Sequence, residues 1–217
     1  MNIKILYEDN HIIAVVKPAG VLTQGDKSGE ESLMDMVKNY LKEKYKKPGN
    51  VFLGLVHRLD KPVQGIVLFG KTSKGASRLS EQFRNHEIEK IYYAIVIGKP
   101  KENIGTLINF LSKDEKVLKA KDNQNGKESI LYYETVKSNN KYSLLKIKLE
   151  TGKFHQIRAQ LSLAEFPILG DAKYGALEWE NKNSIALCAI EISFRMATED
   201  KIINLKIPLP EEWEKYL

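Results

Sequence analysis

The strongest constraint on the fold is the spacing of short apolar runs. Stretches rich in Ile, Val, Leu, Phe and Tyr recur at 3–6, 12–16, 51–56, 65–69, 92–97, 128–137, 142–150, 185–194 and 202–207. Runs of this length carrying β-branched and aromatic residues predict strands. In 142–150, Leu145, Ile147 and Leu149 alternate with Lys146 and Lys148, the period of a half-buried strand. Three stretches predict helices. One starts at Ser32, where Ser32 and Asp35 form a capping-box pattern and Leu33, Val37, Tyr40 and Leu41 share a face. The others cover 73–83 and about 154–164. Strands outnumber helices, and few helices fall between consecutive strands. A doubly wound parallel sheet needs a crossover helix at nearly every step. The expectation is an α+β fold with a mixed, largely antiparallel central sheet flanked by helices and loops. No internal repeat or compositional break divides the 217 residues, so one domain over 1–217 is expected.

The net charge of +6 favours a polyanionic partner, because Lys and Arg displace counterions from phosphates. The single cysteine, Cys188, excludes an internal disulfide. It lies in the apolar run 185–190, reads as a small buried hydrophobe and suits a reducing compartment. No apolar run approaches the roughly 20 residues of a membrane helix, and the acidic start is not a secretory leader. A cytoplasmic location without membrane attachment is expected. His11, His57, His86 and His155 form no ligand-spaced pair, so no zinc site is expected.

Residues 65–72, Gly-Ile-Val-Leu-Phe-Gly-Lys-Thr, match the phosphate-loop pattern letter for letter. That loop needs a flexible turn between its glycines, and Ile66, Val67, Leu68 and Phe69 demand a buried strand instead. His57-Arg58-Leu59-Asp60 differs from a kinase catalytic loop, because Leu and Asp are exchanged and the downstream Asn is missing. What remains is Asp60, between two apolar runs and flanked by Arg58 and Lys61. Neighbouring cations keep such a carboxylate ionised, fit to act as a nucleophile or base, or to make a surface ion pair. A second cluster is Thr151-Gly152-Lys153-Phe154-His155-Gln156-Ile157-Arg158. On a helix His155 and Arg158 are neighbours. Arg158 borders the buried stripe and calls for a carboxylate, Glu150 being one candidate for a structural pair. Tyr92 and Tyr93 must face opposite sides of a strand.

In this order the clusters resemble the RluA-type family of RNA pseudouridine synthases. The residues carrying the resemblance are 9–20, His57 to Asp60 with 65–72, Lys90 to Gly98, Thr151 to Arg158, 167–171 with Tyr174-Gly175, and Leu187. The resemblance implies a catalytic domain that isomerises uridine in tRNA or large-subunit rRNA. Asp60 would start the reaction. Three openings are available to it: attack on the anomeric carbon, addition to the uracil ring, or abstraction of a ribose proton. Arg158 would hold Asp60 ionised. Tyr92 would stack on the base and assist loss of the carbon-5 proton, and Leu187 would pack beside the uracil. A stacked uridine must be flipped out, and Arg58 would fill the space it leaves. Lys61, Lys74, Arg78 and Arg84 would either meet the RNA backbone or form a solvated face. The segment 112–127, with five lysines, would be an RNA-gripping arm or an exposed hairpin. The isomerisation exchanges bonds without redox change, so no cofactor and no metal are implied. The expected partner is RNA, with no obligate protein partner and a monomeric state. The chain is expected to start directly with the catalytic domain, without the small N-terminal RNA-binding module of many relatives. It departs from the family pattern at Val63-Gln64, at Lys153 where Arg is usual and at Phe154 where a smaller residue is common. The rival readings are a non-catalytic RNA-binding protein on the same fold, a nucleotide hydrolase and a glycosidase with paired carboxylates.

Overall fold

The computed structural model describes residues 3–176, 179–181 and 183–217. In chain order it contains β1 (Lys4–Glu8), β2 (Ile12–Lys17), α1 (Leu33–Lys44), β3 (Gly54–Leu55), β4 (Gln64–Gly70) and α2 (Ser73–Arg84). There follow β5 (Glu89–Ile97), β6 (Ile104–Asp114), β7 (Lys119–Asp122), β8 (Lys127–Ser138), β9 (Tyr142–Leu149), α3 (Gln156–Leu163), β10 (Leu187–Arg195) and β11 (Ile202–Lys206). Short 3-10 turns cover Ala172–Tyr174 and Glu211–Tyr216. The chain groups into two compact units: Met1–Glu89 with Glu191–Ile207, and Lys90–Ile190 with Pro208–Leu217.

In the first unit β2 pairs antiparallel with β1 and β4, and β3 adds to β4. The C-terminal part of β10 pairs antiparallel with β11. Ile12 to Val15 of β2 and Ile66 to Phe69 of β4 are buried, as continuous apolar runs require. This disposes of the phosphate-loop reading, because the residues between the two glycines are the strand. Lys71 is used locally: its Nζ donates to Glu8 Oε1 and to the Asp9 carbonyl, both at 2.6 Å. Thr72 caps α2, its Oγ1 accepting the Gly75 amide. Helix α1 starts as its sequence predicts, with Ser32 and Asp35 closing a reciprocal capping box and Leu33, Val37 and Leu41 buried. Of the run 51–56, only Gly54 and Leu55 pair with β4, because the chain must then leave the sheet for the Asp60 loop.

The second unit is an antiparallel sheet in the order β5-β9-β8-β6-β7, with α3 packed against β6 and β7. Strand β6 has no counterpart among the expected strands. Both of its faces carry large apolar residues: Ile104, Ile108 and Phe110 are exposed, while Leu107 and Leu111 point to the more covered side with Gly105 and Asn109. A Cβ at Gly105 would lie 2.6 Å from the ring of Tyr133, its cross-strand partner. The lysine-rich segment 112–127 is the exposed β6–β7 hairpin with the turn into β8. The α+β expectation holds in both units.

Gly75 lies in the first turn of α2, against the residue that leads into β2, where a Cβ would come 2.1 Å from the His11 carbonyl oxygen. Gly→Ala inside a helix ordinarily stabilises by about 1 kcal/mol. Here Gly75→Ala is expected to destabilise by about 2 kcal/mol through overpacking, measured by urea unfolding with an unchanged m-value.

Candidate active site

The loop carrying Asp60 is held from three sides within the first unit. Lys17, at the end of β2, is fully buried. Its Nζ donates to the carbonyls of Pro18 at 2.9 Å, Val21 at 2.7 Å and Lys61 at 3.1 Å. An ammonium has three N–H groups, so three carbonyls satisfy it fully. The Gly20 amide donates to the same Lys61 carbonyl at 2.8 Å. Thr23 bridges to the neighbouring residue: its Oγ1 donates to the Leu59 carbonyl at 2.8 Å and accepts the Leu59 amide at 3.2 Å. The Val63 amide donates to the Asp60 carbonyl at 3.0 Å and closes the turn. On the β4 side His57 Nε2 accepts the Leu68 amide at 2.9 Å, which places the ring proton on Nδ1 when the ring is neutral. The His57 ring packs on Phe83 at 4.7 Å. The carboxylate of Asp60 therefore sits half-buried on a backbone with little freedom.

Burial pulls the pKa of Lys17 down to about 7, and the charge of Asp60 acts in the opposite direction. Lys17 is thus a buried cation that bears on Asp60. Sequence reading passes over it, because Lys17-Pro18-Ala19-Gly20 looks only like the end of a strand. Lys61, read as a cation flanking Asp60, instead pairs with Glu30 at 2.6 Å in an exposed position. Arg58 is exposed. Among the backbone-contact candidates, Arg78 makes an exposed pair with Glu81 at 3.1 Å.

In the second unit Arg158 is 5% exposed. It forms a two-pronged pair with Asp171, Nε to Oδ2 at 2.7 Å and Nη2 to Oδ1 at 2.8 Å. Such a fork is the strongest geometry available to a guanidinium. Sequence offered Glu150 as one candidate for a structural pair and did not single out Asp171; the signal lay in the Gly170-Asp171 of the segment 167–171. Arg158 Nη1 also lies 3.1 Å from His155 Nε2. A guanidinium only donates, so Nε2 accepts and His155 is neutral with its proton on Nδ1. That proton is donated to Tyr174 Oη at 2.9 Å, which also accepts the Ala120 amide at 2.7 Å. His155 is in the left-handed region at φ 51°, so α3 starts at Gln156 and not at Phe154. That turn is what swings the imidazole toward Tyr174 and Arg158.

Tyr92 and Tyr93 lie on opposite faces of β5, with Tyr92 buried and Tyr93 half-exposed opposite Lys146 of β9. Leu187 opens β10 and is buried. Asp60 and Arg58 thus belong to the first unit, and Tyr92, Arg158 and Leu187 to the second. Among the described residues no group of three or more His, Cys, Asp or Glu side chains is placed to hold a metal ion. No helix among them is long and apolar enough to cross a membrane.

A family model described as RNA pseudouridylate synthase matches residues 11–163, well over half of the chain. The chain is 37% identical over 180 residues to ribosomal large subunit pseudouridine synthase C of Rickettsia prowazekii (strain Madrid E), covering 80% of this chain and 57% of that protein. It is 33% identical over 186 residues to ribosomal large subunit pseudouridine synthase D of Borreliella burgdorferi, covering 81% of this chain and 56% of that protein. The chain therefore spans a little over half the length of these relatives. In structure it is similar to human RNA pseudouridylate synthase domain containing 4, with a TM-score of 0.80 at 22% identity, covering 97% of this chain and 90% of that one.

Lys17→Met takes the Nζ donor from three carbonyls, of which only that of Lys61 keeps the Gly20 amide, and is expected to cost about 3 kcal/mol at neutral pH. The folded pKa of about 7 lies below the ordinary 10.5, so between those values the unfolded chain binds more protons and stability rises with pH. Urea unfolding across that window should show the Lys17 contribution to this rise in the wild type and lack it in the variant. Asp171→Ala takes both forked hydrogen bonds from the buried Arg158 charge and is expected to cost about 3–5 kcal/mol, measured by the same unfolding curves.

Proposed function

Because the chain belongs to the RNA pseudouridylate synthase family, we propose that it isomerises uridine to pseudouridine in structured RNA. The observation that carries this reading is Asp60, a carboxylate presented half-buried on a loop that Lys17, Thr23 and His57 immobilise. Rigid presentation of one carboxylate suits a reaction in which a single group must meet a flipped-out nucleotide in a defined geometry. The two units act together as one catalytic domain. Asp60 starts the reaction on the uridine. Arg158, oriented by Asp171 and His155, keeps that carboxylate ionised. Tyr92 stacks on the base and assists removal of the carbon-5 proton once the new bond to carbon has formed. Leu187 packs against the uracil, and the exposed Arg58 occupies the gap left in the RNA.

The reaction breaks the bond from ribose carbon 1 to nitrogen 1 and makes one to carbon 5; carbon 5 gives up its proton, and nitrogen 1 takes one up. Its atoms balance without a redox partner, so no cofactor enters. The substrate is large-subunit ribosomal RNA, for which the relatives from Rickettsia and Borreliella are named; transfer RNA is the alternative to be tested beside it. The enzyme works as a cytoplasmic monomer on RNA.

Tritium release from RNA labelled at uracil carbon 5 tests this reading directly. The wild type is expected to release tritium from large-subunit rRNA, and Asp60→Ala to release none while still binding the RNA. A folded, RNA-binding wild type that releases no tritium from rRNA or tRNA would sink the catalytic reading and favour a non-catalytic RNA-binding protein.

A further inference from the structure

The second unit contains a pocket of about 540 Å³ that none of the roles above uses. It opens between the tip of β6, the turn into β8 and the segment before α3, and Ser112, Lys113, Lys127, Gly152, Lys153 and Phe154 line it. Its volume is in the range of sites that hold small organic groups, about 300–1,000 Å³. Three of its lining residues are lysines, and among the described residues lining it none is acidic. Lys113 is exposed and paired with the exposed Glu115 at 2.7 Å, and its Nζ stands 5.4 Å from the centre of the Phe154 ring. Cations gathered around an aromatic face form the arrangement that single-stranded nucleic acid uses, with bases stacking on the ring and phosphates meeting the cations.

The pocket wall is built in advance. Phe154 stacks face to face on His155, with ring centres 3.9 Å apart and planes 16° apart. The loop beneath is fixed by Gln156, whose Oε1 accepts the Lys153 amide at 3.0 Å and the Thr151 hydroxyl at 2.9 Å. The Gln156 Nε2 donates to the Ile130 carbonyl at 3.1 Å, tying that loop to β8. Gly126 turns tightly against Phe110, where a Cβ would lie 2.5 Å from its carbonyl, and delivers Lys127 to the rim. Gly152 adds no side chain to the mouth. Through the Phe154–His155 stack the pocket adjoins the Arg158 network, since His155 is bonded to Arg158.

We propose that this pocket is a subsite for one nucleotide of the RNA substrate other than the target uridine, its base stacked on Phe154 and its phosphates met by Lys127 and Lys153. The proposal rests on this chain binding RNA, as the proposed function requires. It gives a use to Lys153 and Phe154, the two positions of their segment at which this chain departs from the family pattern.

The test is filter binding of the full chain to an in vitro transcript of large-subunit rRNA across a salt series, with tritium release measured in parallel. The Lys127→Gln, Lys153→Gln double variant is expected to bind more weakly and to flatten the slope of log affinity against log salt by about 1.4, from about 0.7 per single-strand phosphate contact. Phe154→Ala is expected to lose about tenfold in affinity at an unchanged slope. Phe154→Tyr, which keeps the ring, should bind like the wild type and guards against a folding defect in the alanine variant. A double variant with the wild-type slope, or Phe154→Ala with wild-type affinity, overturns the subsite. A slope change with no Phe154 effect also overturns it, since it reports a merely attractive surface. The two readings fail separately. Variants that weaken binding in a protein releasing no tritium uphold the subsite and defeat the catalytic reading. Insensitive variants of a protein that does release tritium defeat the subsite alone.

Discussion

In each unit a charged side chain taken out of water determines the conformation of the chain around it. A buried charge is tolerable only when hydrogen-bond partners surround it. The ammonium of Lys17 takes three backbone carbonyls, one of them on Lys61 beside Asp60. The polypeptide must therefore bring residues 18, 21 and 61 to one point, and the Asp60 loop has its path set by that demand. In the second unit the guanidinium of Arg158 takes both oxygens of Asp171 and the Nε2 lone pair of His155. Asp171, His155 and Tyr174 are thereby drawn around the start of α3. Neither buried charge is on the exposed surface where an ion pair contributes little.

This arrangement divides labour between side chains that react and side chains that hold. Asp60 is proposed to act on the uridine, and Lys17, Thr23 and His57 fix the backbone that presents it. Arg158 is fixed in turn by Asp171, and His155 links it to Tyr174. Phe154 belongs to the same fabric from the other side: the ring that stacks on His155 also forms the floor of a basic pocket. A single short segment, 151–158, thus bears on both Arg158 and the proposed nucleotide subsite. Its hydrogen bonds to Gln156 make it a rigid wall and not a flexible flap.

Most of the fold is legible in the chain because its strands and helices obey their periods. The capping box at Ser32, the apolar runs of β2 and β4 and the alternation in β9 all appear where the residue pattern puts them. Strand β6 is not legible, for a physical reason. Ile104, Ile108 and Phe110 face outward while Leu107 and Leu111 face inward beside Gly105 and Asn109, so the residue pattern does not say which face is buried. Gly105 is there to accommodate the Tyr133 ring, a demand of the partner strand that β6's own residues do not announce. The strand expected at 51–56 shrinks to a pair because the following loop pulls the chain away from the sheet.

By itself the sequence determined the strand-rich architecture, the unsuitability of 65–72 as a phosphate loop and the family to which its ordered motifs point. Those follow from local rules: side-chain period, the conformational needs of glycine, and residue types at set spacing. Tertiary structure alone decided who partners whom. Lys61 turned out to pair with Glu30 and Arg158 with Asp171, and a buried cation bearing on Asp60 was Lys17, more than forty positions earlier in the chain. Charge pairing depends on distance in space and on exclusion of water, and neither is written in the order of residues until the sheets have folded.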